Sequence, residues 1–299
     1  AFIGIILSTL IGLLIGIARL SNNYLVAKLA GGYIELFRNI PILLQILFWY
    51  NLFINVFPHP KQSLSFFDLA FLNQRGLYLP KPIPEEGFLY VVFAFIIGII
   101  AAYFIKKSFK KKHELTGVHT STWPYSVALI LGLPILVYLV FGSPLAFDFA
   151  ILGKFNLKGG MAVVPEFLAL TFALSVYTAT YIAEAIRSGI EAVDKGQKEA
   201  AAAIGLTPVQ SLKLIILPQA LRVAIPPTIN QYLNLTKNSS LATVIGYPEL
   251  MSTFGGTVLN QVGQAVEILA MAMLVYLVIS LFISLLLNYV NKKMEIQGR

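Results

Sequence analysis

The stretch from Pro226 to Leu250 gathers polar side chains in an otherwise apolar chain: Asn230, Gln231, Asn234, Thr236, Lys237, Asn238, Ser239, Ser240 and Thr243. Asn234, Lys237 and Asn238 follow Asn230 by four, seven and eight residues, so the four share one helical face. Counted from Arg222, Lys237 lies about 22 Å along a helix rising ~1.5 Å per residue, deep in a bilayer. A charge there costs about 2.5–3.5 kcal/mol on insertion scales, and such groups face a bundle interior or a water-filled path. Amides around one ammonium suit the carboxylate of a small solute. The same Asn and Ser side chains also serve as hydrogen-bonding glue between helices. Both readings stand on the residues alone. Glu184, after Thr178, Thr180 and Tyr181, is a second candidate for the path or its inner gate. Its rival role is pairing with a basic loop residue. Glu267 is a further intramembrane carboxylate, near the outer edge.

Nothing here points to bond-breaking chemistry. His59, His113 and His119 lie in loops without metal-ligand spacing, and there is no cysteine for disulfide or thiolate chemistry. The chain has no G-x-x-x-x-G-K-[ST] phosphate loop, no G-x-S-x-G and no H-E-x-x-H. It therefore shows no means of binding ATP itself.

The elements that position these residues are membrane helices. The 299 residues are 57% hydrophobic and only 12% charged, against about 25% charged in soluble domains. Seven apolar runs approach the ~20 residues that cross a bilayer: about 1–18, 39–57, 88–105, 124–142, 162–184, 221–247 and 264–290. The alternation of a β-barrel is missing, so an all-α polytopic membrane protein with about seven spans is expected. The run at the start lacks the basic region and cleavage site of a signal peptide and reads as a truncated first span.

Basic residues set the orientation. Segments 18–38, 106–122, 185–222 and 291–299 hold 16 Lys and Arg, while 58–87 and 143–161 hold 5. The richer side is expected in the cytoplasm, together with the C-terminus. The net charge of +8 is thereby a topology signal rather than a nucleic-acid one. The run KKSFKKKH at 106–113 reads as an anchor attracted to anionic lipid.

The cytoplasmic 185–222 segment contains EAAAAIGLTPVQSLKLIILP, residues 199–218. Alanines 200–203 favour helix. Gly205 suits a left-handed helix end. Thr207 caps a second helix with Pro208 at its first position. Pro218 marks where a following helix must bend or restart. A helix-turn-helix projecting from a membrane domain suits docking on a soluble partner; an ordinary loop is the plainer alternative.

The spacing Glu199-Ala200-Ala201, three residues, Gly205, nine residues, Ile215-x-Leu217-Pro218 resembles the EAA signature of ABC importer permeases. Tyr181 to Ile190, Leu217 to Arg222, Pro226-Pro227 and Lys237-Asn238-Ser239-Ser240-Leu241 resemble the polar amino acid branch. So does Tyr33-x-Glu35-x-x-Arg38-x-x-Pro41, where the chain goes into its second span. That branch commonly reads Arg-Gly-Thr-Pro, whereas Arg38-Asn39-Ile40-Pro41 is similar to the general L-amino-acid permeases. On the residues alone, Glu35 and Arg38 share a helical face and are expected to pair at the membrane edge.

The resemblance implies a type I ABC importer transmembrane domain that moves L-amino acids across a bacterial inner membrane. It implies that the EAA loop is a coupling helix seated on an ATPase. It also implies a second related permease, an ATPase dimer holding ATP and magnesium, and a periplasmic amino-acid-binding protein. No cofactor is expected on this chain, and no nucleic-acid partner. Residues 1–57 and 162–290 form the expected permease core, with 291–299 as a cytoplasmic tail. Residues 58–161 read as an insertion of two spans and two external loops, and its Asn73-Gln74-Arg75-Gly76-Leu77-Tyr78 stretch also resembles the general L-amino-acid permeases. The alternative function is a stand-alone secondary transporter or channel for small polar solutes, but neither paired intramembrane carboxylates nor a repeat is present.

Overall fold

The computed structural model describes residues 1–117, 121–153 and 157–294. His119, Lys154 and residues 295–299 of the expected tail lie outside them. In chain order the helices are α1 (Phe2–Arg19), α2 (Tyr24–Asn39), α3 (Ile42–Asn55), α4 (Phe88–Thr116), α5 (Trp123–Val127), α6 (Leu133–Val140), α7 (Pro165–Glu191), α8 (Lys195–Ala203), α9 (Pro208–Ser211), α10 (Leu217–Asn238), α11 (Leu259–Val262) and α12 (Ala265–Met294). Among the described residues, six helical stretches are long and apolar enough to span a membrane, and the bent pair α2–α3 makes a seventh.

The chain divides into two units. The first holds residues 1–59, 72–77 and those from 163 on; the second holds 60–71 and 78–162.

In the first unit α7 is the central helix, packed by α1, α2, α3 and α10. The sequence of α1 explains its fit. Gly4, Ser8, Gly12 and Gly16 recur every fourth residue and are the buried positions of that helix. Small residues at this spacing let two helix backbones approach closely. A Cβ added at Gly12 would stand 2.7 Å from the Ile182 Cβ, and one at Gly16 would stand 3.0 Å from the Ala183 carbonyl oxygen. Ile46, Leu170, Leu174, Leu235, Ala242 and Ile245 form the apolar core beside this seam.

Residues 24–39 form α2, packed on α1 and α7, and the Tyr33 hydroxyl donates to the Val176 carbonyl midway along α7 at 2.8 Å. The axis then turns by 102° into α3. Pro41 causes the corner. A residue before proline is driven out of helical geometry, and Ile40 is extended at φ −92°, ψ 128°. Pro41 caps α3 rather than entering it. Gln45 secures the corner, its Nε2 donating to the Phe37 carbonyl at 2.8 Å and the Ile40 carbonyl at 2.9 Å. Those carbonyls lose their helical partners where α2 stops.

The chain does not restart at Pro218. From α9 it passes through a wide π turn, Leu212–Ile216, directly into α10. Proline cannot donate to the carbonyl four residues back and its ring crowds it; a π turn re-spaces that ladder. After α10 a 3-10 segment, Ser239–Ile245, leads to Gly246. There Glu249 accepts from the Tyr276 hydroxyl of α12 at 2.8 Å, from the Ser252 backbone N–H at 2.7 Å, and from Thr243 Oγ1.

The second unit contains α4, α5 and α6. A π turn, Ala128–Gly132, joins α5 to α6. Strand β4 (Lys81–Pro84) pairs antiparallel with β5 (Leu145–Asp148), after the short β1 (Leu64–Phe66), β2 (Ala70–Asn73) and β3 (Gly76–Leu79).

Candidate functional site

One turn of α7 and two turns of α10 line an open polar cavity of about 320 Å³. It is lined by Tyr177, Thr178 and Tyr181 from α7 and by Gln231, Asn234, Lys237 and Asn238 from α10. Its size falls in the ~300–1,000 Å³ range of small-molecule sites. The lining holds one ammonium, three carboxamides and no carboxylate. Such a set attracts an anionic group and offers amide donors and acceptors around it. The tyrosines close one side. Tyr177 and Tyr181 share a hydrogen bond between hydroxyls at 2.9 Å, one turn apart.

Of the residues expected on the path, Asn234, Lys237 and Asn238 meet in this cavity; the others do not. Asn230 is exposed and lies outside it, one turn nearer the contact of Gly189 with Ala220. Gln231 takes its place in the lining. Ser239 and Ser240 turn back onto their own helix, donating to the Thr236 and Lys237 carbonyls at 2.7 and 2.8 Å. Ser239 also faces a separate cavity with Glu249. Glu184 lies outside this cavity and pairs, as its rival reading expected, with a basic residue of the 185–222 segment. It receives Arg187 of its own helix in a forked contact, with Nε at 3.1 Å and Nη2 at 2.5 Å from Oε1. Arg187 Nη1 reaches Glu191 at 2.6 Å.

Glu35 and Arg38 also depart from expectation. They share a face, but no ion pair joins them; the Arg38 Cζ lies over the Tyr181 ring instead, 5.1 Å from its centre. A cation at that distance is attracted to the ring face. Tyr181 and Arg38 were separate signals in the sequence. Their meeting depends on how α2 faces α7, which spacing within one helix does not encode.

The 199–218 segment folds by its local grammar. Asp194 caps α8, accepting from the Gly196 N–H at 2.7 Å. Glu199 and Ala200 are exposed on α8, while Ala201 is fully buried. The helix ends in a Schellman motif: Leu206 N–H donates to the Ala201 carbonyl at 3.1 Å and Gly205 N–H to the Ala202 carbonyl at 3.0 Å. Gly205 has φ +79°, the left-handed region where a side chain is strained. Thr207 then opens α9 with a capping box. Its backbone N–H donates to Gln210 Oε1 at 2.9 Å and the Gln210 N–H returns to Thr207 Oγ1 at 3.3 Å. Ile215 lies in the π turn, and Leu217 and Pro218 begin α10. Ile204, Val209, Leu212 and Leu214 stand exposed along this element. Four large apolar side chains on a charged turn form a surface suited to a partner.

A family model described as "Binding-protein-dependent transport system inner membrane component" matches residues 8–296. The chain belongs to this family. The permease is 50% identical over 299 residues to the General L-amino acid transport system permease protein AapQ of Rhizobium johnstonii, covering 100% of this chain and 74% of that one. It is 40% identical to the glutamate/glutamine/aspartate/asparagine transport system permease protein BztB of Rhodobacter capsulatus, over 95% of this chain and 73% of that one. Among solved structures, an amino acid ABC transporter crystallised with histidines aligns with a TM-score of 0.56 at 20% identity, over 98% of this chain and 87% of that chain. At that identity the likeness speaks to fold: the permease has a mostly helical type I ABC importer transmembrane domain. The family anticipated from the EAA spacing is the family found, and the permease is a multi-pass transport component.

Proposed function

We propose that the permease is the transmembrane subunit of an ATP-driven importer of L-amino acids. The cavity around Lys237 holds the solute in transit. The observation that carries this reading is the lining itself: one cation among carboxamides and tyrosine hydroxyls, with no carboxylate to repel an α-carboxylate. The ammonium takes the carboxylate, and the amides take the remaining polar groups. The chain moves a solute and breaks no bond.

The α8–α9 turn is the coupling element. Glu199, Ala200, Gly205 and the exposed Ile204, Val209, Leu212 and Leu214 present it to a separate ATPase dimer, which binds ATP and magnesium. A second, related permease completes the membrane assembly, and a periplasmic binding protein delivers the amino acid. The excess of Lys and Arg in the segments that include 185–222 supports a cytoplasmic coupling turn and C-terminus in an inner membrane.

Reconstitution in vesicles tests the reading. The full-length chain, its partner permease and the ATPase should take up radiolabelled L-glutamine or L-glutamate only with ATP inside and binding protein outside. Uptake that proceeds with the ATPase omitted would reassign the chain to stand-alone carriers.

A further inference from the structure

A second polar cavity has a volume of about 470 Å³. Arg19, Glu35, Arg38, Asn39, Glu184 and Arg187 line it. One contact links the two: the Tyr181 ring lines the Lys237 cavity, and the Arg38 guanidinium, which lines the second, lies on its face. Along α7 the order is Tyr177, Tyr181, Glu184, Arg187, so the second cavity lies on the side of the α8–α9 turn. From Thr178 to Glu184 is about 9 Å at ~1.5 Å per residue.

The charges of this cavity are unevenly matched. Glu184 is spent on Arg187, which also holds Glu191. Arg19, Glu35 and Arg38 join none of the ion pairs among the described residues. Arg19 makes a long bond of 3.4 Å to the Ala27 carbonyl. Its guanidinium lies over Gly31, where an added Cβ would stand 3.1 Å from Cζ. Glu35 and Arg38, one turn apart, have the spacing at which opposite charges ordinarily pair. Arg38 lies over the Tyr181 ring instead. A carboxylate and two guanidiniums, none used by the other, therefore face one space. Arg forks match a carboxylate in geometry, and Glu35 suits an ammonium.

Resting on the importer reading above, we propose that this cavity is a second station for the transported amino acid, one that recognises the zwitterion itself. Arg38 and Arg19 take the α-carboxylate, Glu35 takes the α-ammonium, and Tyr181 is the partition between the stations. Backbone zwitterion recognition is indifferent to the side chain, so this station reads "amino acid" without selecting which one.

The test uses the assembled transporter in vesicles, with ATP and unlabelled L-glutamine inside and labelled L-glutamine with binding protein outside. Internal L-glutamine should occupy the second station and slow uptake; internal N-acetyl-L-glutamine, which has no ammonium, should not. Arg38→Gln and Glu35→Gln should each raise the internal concentration needed for inhibition about tenfold, the scale of one lost charge-assisted hydrogen bond. Arg38→Lys, which keeps the cation over the ring, should retain inhibition. Co-purification with the ATPase identifies variants that have failed to fold. Wild-type inhibition that is absent, equal with the acetylated compound, or unchanged in folded Arg38→Gln and Glu35→Gln would overturn the second station. Absence of ATP-driven uptake in the wild type would instead overturn the importer reading, and this inference with it.

Discussion

Gly12 of α1 and Ile182 of α7 approach so closely that a Cβ on Gly12 would lie 2.7 Å from the Ile182 Cβ. The seam has no slack, since Ile182 is only 1% exposed. Gly12→Leu should therefore force the helices apart and cost about 1–3 kcal/mol, the usual penalty for overpacking. A thermal unfolding midpoint in detergent unchanged from wild type would show that the seam yields.

Gln45 offers a different stability test. Its amide is the partner of two carbonyls stranded at the α2–α3 corner. Gln45→Leu keeps much of the bulk and leaves both without that donor, at about 0.5–1.5 kcal/mol for each hydrogen bond lost. Lower yield and a lower unfolding midpoint are expected. Gln45→Glu should be nearly as harmful, because a carboxylate cannot donate.

Gly205 has open space around it, yet its φ is +79°. Only backbone conformation restricts it. Gly205→Asn should be tolerated, whereas Gly205→Val costs at least ~1–2 kcal/mol in left-handed geometry and Gly205→Pro cannot adopt it. With Gly205→Pro or Glu199→Lys, the chain should insert normally but lose ATP-driven uptake. Co-purification of the ATPase checks this, and normal transport by either variant would sink the coupling assignment.

Within the Lys237 cavity, Lys237→Met removes the single cation, and uptake should fall at least about tenfold, as expected when a charged hydrogen-bond donor is lost. Asn238→Leu should impair uptake as well. Asn230→Leu, outside the lining, should not. Equal effects at Asn230 and Asn238 would favour helix–helix glue over solute contact.

The chain contains no cysteine, which makes orientation directly measurable. Lys195→Cys should react with a membrane-impermeant maleimide only from the cytoplasmic side, and Glu86→Cys only from the periplasmic side. The reverse pattern would invert the topology.

Local grammar was readable in the sequence because its causes are local. Thr207, Pro208 and Gly205 each act within a turn or two, and each adopts the geometry its type dictates. At Pro218 only the restart fails, because the π turn before it accommodates the proline. What depends on how helices face one another was hidden. Gln231 rather than Asn230 enters the cavity because α7 fixes which part of the polar face is covered. The Arg38–Tyr181 contact and the Glu249–Tyr276 bond join residues far apart in the chain. The four-residue recurrence of Gly4, Ser8, Gly12 and Gly16 was present in the sequence and would have marked the α1 seam.

The unbroken passage from α9 to α10 has a mechanical consequence. Pro208 to Ile245 is one helical stretch of 38 residues, bearing the Thr207 cap at one end and Lys237 near the other. A flexible joint at Pro218 would have absorbed a push on the coupling turn. Helix runs through Pro218 without a break, and Pro226 and Pro227 lie inside α10 between the two ends. On the importer reading proposed above, a push on the α8–α9 turn would be carried along this stretch toward Lys237 and the tyrosines of α7. Inserting a single glycine beside Pro218 would act as a clutch, leaving both ends intact while disengaging one from the other.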